Sequence, residues 1–149
     1  MIRDARPDDM PALLDMGAAF HAESAWASSL APFDPRTFGA TCETLAGGRG
    51  LLIAEEGGQP VGMIGGSVVP LYFNAAVPVA QEVFWYAAPQ HRRGIGMALL
   101  DALGERVASA KARALIVAAL ESLRGEAVGA LLGRKGFVPA ERMYARILP

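Results

Sequence analysis

Residues 79–103, "VAQEVFWYAAPQHRRGIGMALLDAL", change character twice in a short span. A β-branched and aromatic stretch gives way to a basic loop with two glycines around one isoleucine. That loop opens into an apolar stripe at helical spacing: Ile95, Leu99, Leu103 and Val107. The order predicts a strand, a glycine loop and a helix. Such a loop suits an anion. Free N–H groups at a helix start point the same way, and the helix dipole favours negative charge there. Glycines keep side chains clear and permit the backbone angles that turn successive N–H groups inward. A diphosphate is the natural guest, although an ordinary strand-to-helix connection with incidental glycines fits the local pattern equally well. No Gly-Lys-Ser/Thr follows, which excludes a Walker loop, and the third glycine of a dinucleotide fingerprint is missing.

The flanking segments set the fold class. A chain of 149 residues suits one domain with a sizeable core. Residues 1–5 read as a short strand. In "RPDDMPALLDMGAAFHAES", Asp8 or Asp9 is a candidate N-cap and Pro11 sits in the first turn. Leu13, Leu14, Met16, Ala19 and Phe20 follow at helical spacing. A loop and a second short helix over 36–46 come next. "RGLLIAEEGGQPVGMIGGSVVP" reads as a hairpin about the "EGGQP" turn, with Gly62, Gly65 and Gly66 marking a bulge or a close backbone approach. After the strand "VAQEVFWYAAP" a helix is expected over 95–110. "ALIVAAL" at 114–120 reads as a strand buried on both faces, and a helix over 124–135 is stopped by Gly136. "RMYARIL" alternates and is expected to close the chain as a strand, with another short strand near Phe137–Pro139. The order β–α–α–β–β–β–α–β–α–β is that of an α/β domain with a mixed sheet.

Charge and cysteine usage narrow the function classes. A net charge of −1 gives no footprint for nucleic acid. No apolar run reaches the roughly 18 residues of a membrane span. The opening "MIRDARPDD" carries charges where a secretory signal needs apolar residues, so a cytoplasmic protein is expected. Cys42 is the single cysteine, so no internal disulfide, cysteine metal site or other metal is expected.

The phrase "HRRGIG", with Gly94 and Gly96, is similar to the coenzyme A motif Q/R-x-x-G-x-G/A of the GNAT N-acetyltransferase superfamily. "VFWYAAPQHRRGIGMALLDAL" resembles the family's fourth strand, loop and third helix, and the likeness extends to "IRDARPDDMPAL" and "RKGFVPAERMYARIL". The resemblance implies a GNAT-like α/β fold: a mixed, mostly antiparallel central sheet flanked by about four helices, its fourth and fifth strands splayed, here at 83–87 and 115–119. It also implies transfer of acetyl from acetyl-CoA to a primary amine by direct attack in a ternary complex. The alternatives are an acyl-CoA-binding or regulatory module and an unrelated nucleotide-binding domain. The acceptor would be a small molecule or a peptide amine, and dimers are common in the family.

The same resemblance assigns roles. Backbone N–H groups of Arg93, Gly94, Ile95, Gly96 and Met97 would cradle the diphosphate, with the Arg92 and Arg93 charges assisting. Pantetheine would pair with backbone groups of Phe84, Trp85 and Tyr86 like an added strand. Glu82 corresponds to a strand-four glutamate that serves as base. His91 departs from the motif's Gln or Arg, and the loop is one residue shorter than usual. The family's tyrosine, four residues before the "GF" pair, is Leu132 here, which leaves water or Tyr144 to protonate the departing thiolate. On the acceptor side, Glu23 is a candidate contact for a cationic amine, with Trp26, Phe33, Tyr72 and Phe73 as an apolar wall. His21 and Cys42 read as structural.

Overall fold

The computed structural model describes residues 1–120, 122 and 124–148. Its central hairpin follows from two glycines. Gly57 and Gly58 take φ of 56° and 80°, so a two-residue turn joins β2 (Leu51–Glu56) to β3 (Gln59–Leu71) with the twist that paired strands need. β1 (Ile2–Asp4) pairs antiparallel with β2, and β4 (Asn74–Ala87) pairs antiparallel with β3. β5 (Leu115–Ile116) lies parallel to β4. The sheet order is β1-β2-β3-β4-β5, mixed and mostly antiparallel.

Period-two alternation sends side chains to both faces of this sheet, and helices cover each face. On one face Leu51, Ile53, Met63, Phe84 and Tyr86 pack with Leu13 and Met16 of α1 (Met10–Glu23) and with Cys42 and Leu45 of α3 (Pro35–Gly47). The single-turn α2 (Trp26–Ser29) lies between those two helices in the chain. On the other face Leu52, Ala54, Ile64 and Ala80 meet Leu99, Leu100, Leu103 and Val107 of α4 (Arg92–Ser109). Leu132 of α5 (Gly125–Arg134) completes that layer. Each fully buried large side chain contributes about 1.5–3 kcal/mol by leaving water.

Local chemistry fixes the helix ends. Asp34 caps α3 by accepting the N–H groups of Arg36 and Thr37 at 2.9 and 3.3 Å. Asp9, a candidate cap for α1, does different work. Its carboxylate accepts two bonds from Arg3, at 2.7 and 2.8 Å, and one from the Arg6 N–H at 2.7 Å. Arg3 also donates to Glu55 at 2.7 Å, which ties β1, β2 and the turn before α1 together. Gly136, at φ of 86°, follows α5 as expected of a helix stop.

Three expected strands are corrected: 114–120, the short one near Phe137–Pro139, and "RMYARIL". "ALIVAAL" forms a strand only at Leu115–Ile116, and Ile116 is exposed, so this edge is covered on one face rather than two. Residues 137–148 form no strand; Met143, Tyr144 and Leu148 are all exposed. Alternation is a local property, whereas a strand exists only when another edge satisfies its N–H and C=O groups.

Candidate functional site

The site grows out of a bulge in β4. Gly65 pairs with Phe84 and Gly66 with Glu82, which leaves Val83 without a partner. The extra residue reverses which backbone groups face outward. Before it, Gly66 donates its N–H to Gly50 O, away from β4, and Ala80 donates to Ala114 O. The backbone groups of Ala80 and Glu82 therefore point toward β5. After it, Ala88 donates to Val61 O at 2.9 Å, so alternation pairs Tyr86 and Phe84 with β3 and turns Trp85 and Ala87 outward. Of Phe84, Trp85 and Tyr86, only Trp85 presents its backbone to the open side. The side chains of Phe84 and Tyr86 are buried in the core under α1 and α3.

The open side exists because β5 leaves early. Its ladder with β4 covers Ala80↔Leu115 and Gln81↔Ile116, while β4 continues to Ala87. At the fork the bridge is made by a side chain: Glu82 Oε2 accepts the Ala118 N–H at 3.1 Å. Glu82 is half-buried, and desolvation pushes its carboxyl up to about 7 against the opposing pull of that hydrogen bond.

Beyond β4 a short 3-10 turn, Pro89–His91, leads into α4. The helical path is interrupted at Arg93 (ψ 99°) and Gly94 (φ 91°), so the regular helix begins at Ile95. Ile95, Gly96 and Met97 form the first regular turn after this interruption, where a helix directs its N–H groups toward its start. A Cβ at Gly94 would meet no atom within 4 Å, so the loop's tip is open on its outer side. At Gly96 the carbonyl accepts the Trp85 indole N–H at 2.9 Å, which fixes the first turn to β4 from below.

The two arginines of the loop behave differently. Arg92 donates from Nε to Ala87 O at 3.1 Å and pairs through Nη2 with Glu23. Its guanidinium also stands 5.9 Å from the centre of the Tyr86 ring. Arg93 is exposed, and its side chain has no hydrogen-bond or ion-pair partner among the described residues. His91 Nδ1 lies 2.7 Å from Glu56 Oε2, so the residue that departs from the family motif is tied to β2.

Other expected residues fall outside this arrangement. Leu132 is buried under α4 and carries no ionisable group. Tyr144 is 87% exposed, outside any strand. Glu23 meets Arg92 of its own chain. Tyr72 and Phe73 stack at 4.2 Å at the tip of the β3–β4 hairpin, 77% and 81% exposed. Cys42 is fully buried, and its thiol is pushed up to about 11 by that burial, so it is an inert core residue. Two contacts at the loop had no sequence signal: the Glu23–Arg92 pair and the Trp85–Gly96 bond. Both join distant residues through side-chain geometry that no local pattern encodes.

A family model described as Acetyltransferase (GNAT) family matches residues 18–137. No curated protein matches the chain. Among solved structures, an aminoglycoside acetyltransferase from an uncultured soil metagenomic sample aligns over 100% of this chain and 97% of its own, with a TM-score of 0.71 and 23% identity. A ribosomal-protein-alanine N-acetyltransferase from Brucella melitensis biovar Abortus 2308 aligns over 99% of each chain, with a TM-score of 0.69 and 19% identity. A predicted acetyltransferase from Clostridium acetobutylicum, solved with acetyl-CoA, aligns over 99% of this chain and 95% of its own, with a TM-score of 0.75 and 17% identity. At these identities the likeness establishes the fold. Among the described residues, no helix is long and apolar enough to cross a membrane.

Proposed function

Since the chain belongs to the GNAT acetyltransferase family, we propose that it transfers acetyl from acetyl-CoA to a primary amine, with Glu82 as the base. The observation that carries this reading is the position of Glu82. A carboxyl pushed up to about 7 stands at the fork of β4 and β5, on the strand that runs on into the open edge.

The residues present suit the donor. The outward N–H and C=O of Trp85 match the amides of pantetheine, which pairs with a free edge as a further strand does. The N–H groups at the start of α4, with the exposed Arg93, favour a diphosphate. When bound, acetyl-CoA supplies the activated acyl group as a thioester.

Glu82 then handles the proton. A lysine-like amine has a reference pKa near about 10.4 and is mostly protonated at neutral pH. A carboxylate whose own value is about 7 accepts that proton, directly or through water, far better than an ordinary glutamate does. Attack is direct within a ternary complex, as the family resemblance implies, and the buried Cys42 is not called on as a nucleophile. The departing thiolate takes its proton from water, because Leu132 has none to give and Tyr144 faces solvent.

Leu132 favours one other reading, an acyl-CoA-binding module with little catalysis. A thiol-release assay across a panel of small and peptide amines, with products identified by mass spectrometry, separates the two. Turnover on any amine supports the enzyme. Coenzyme A binding without turnover on the whole panel supports the module.

A further inference from the structure

Glu23 and Arg92 stand 69 positions apart in the chain and meet at the end of β4. Glu23 ends α1, immediately before the segment that carries α2. Arg92 opens the glycine loop. Three sides of the Arg92 guanidinium are occupied: Ala87 O at 3.1 Å, the Glu23 carboxylate, and the face of Tyr86 at 5.9 Å. A planar guanidinium held on three sides keeps one orientation. The loop beyond it has little other support, since among the described residues the Arg93 side chain has no partner and nothing would touch a Cβ at Gly94. It is fixed at its two ends, by Arg92 and the His91–Glu56 contact on the strand side and by the Trp85–Gly96 bond on the helix side.

We propose that Glu23, acting through Arg92, is a positioning residue for the donor loop. The inference rests on the donor-binding reading given above. Arg92 is neutralised by Glu23 and occupied by Ala87, so its role is to hold the loop's entry. Arg93 carries the free positive charge. Removing the Glu23 carboxylate leaves Arg92 one hydrogen bond and lets it turn to solvent. The loop then has to be ordered at the moment of binding, and that lowers affinity. The same ion pair ties the end of α1, on the side expected to receive the acceptor, to the element that receives the donor.

The experiment measures coenzyme A binding by calorimetry in the wild type, Glu23→Gln, Arg92→Gln, Arg92→Lys and the Glu23→Gln/Arg92→Gln double variant, with apo melting temperatures alongside. Each Gln variant is expected to bind about 5- to 30-fold more weakly, and the double variant no more weakly than the worse single. Arg92→Lys, which keeps the charge and loses the fork, is expected to recover part of the affinity. In turnover, the KM for acetyl-CoA rises while kcat at saturation holds. Two results overturn the proposal: an unchanged affinity in Glu23→Gln beside a loss in Arg92→Gln, which makes Arg92 a direct phosphate contact, or losses that add in the double variant. Lowered apo melting with unchanged affinity in both single variants also overturns it. A wild-type chain that does not bind coenzyme A overturns the donor reading and this inference together.

Discussion

Glu82 accepts the backbone N–H of Ala118 through its side chain, at 3.1 Å, where the β4–β5 ladder has just ended. A residue that bridges two diverging strands is held at their fork, and a carboxyl held there is desolvated. Its value of about 7 is the chemical result of that placement.

Glu82→Gln should cut turnover by about 10²–10⁴-fold, the usual worth of a general base, with little change in coenzyme A affinity. In the wild type, activity should rise with pH through about 7 and then level off. The variant should lose that limb, as a pH–rate profile of each will show.

The same carboxyl makes an opposite prediction for stability. Its folded-state value is raised, so the folded protein binds the proton more tightly than the unfolded chain does. Stability from this group is full below about 4.5 and falls as pH rises through about 7. Glu82→Gln should therefore be more stable than wild type at pH 8, on the order of 2 kcal/mol after allowing for solvent access, and nearly equal at pH 4. Denaturant melts at the two pH values measure it.

Gly94→Val forces a β-branched residue to φ of 91°, where only glycine rests without strain. Nothing crowds the position, so the chain still folds, at a cost of about 1–3 kcal/mol. Acetyl-CoA should raise the melting temperature of the wild type, and the variant should lose that rise. A thermal-shift titration reads both effects.

Arg3 satisfies Asp9 and Glu55 together. Arg3→Met leaves two carboxylates facing each other at the foot of the sheet and should cost about 3–5 kcal/mol at pH 7. The Arg3 guanidinium holds Asp9 below the ordinary carboxylate value of 3.8, so stability from that contact is present above 3.8 and lost as pH falls through Asp9's lowered value. The loss in Arg3→Met should accordingly shrink on acidification, as denaturant melts across that range test.

Leu103→Ala removes a fully buried side chain beneath Gly66 and should cost about 2–5 kcal/mol. Coenzyme A affinity at temperatures well below melting should hold, because Leu103 lies two turns beyond the loop.

The parts of the fold that were legible in the sequence are those governed by local rules. Gly57 and Gly58 specify a turn, Leu99 and Leu103 specify a helix face, and the loop at Gly94 and Gly96 lies where its glycines put it. The bulge was legible as a glycine cluster, but its effect was not. That Val83 lacks a partner, so that Trp85 rather than Phe84 or Tyr86 faces the open edge, depends on pairing between strands. "RMYARIL" misled for the same reason in reverse: its pattern is that of a strand, but strandhood belongs to a pair of edges. The pairing of Arg92 with Glu23 was not legible, because Glu23 is brought there only by the packing of α1.

The bond from the Trp85 indole to Gly96 makes the protein its own optical probe. One of its two tryptophans is wired to the Gly96 carbonyl at the glycine loop, and the other, Trp26, sits on α2 beyond the end of α1. With Trp26 changed to phenylalanine, emission comes from a single indole, and a donor that fills the loop as proposed should change its environment. Donor loading can then be followed in real time, without a label and without turnover.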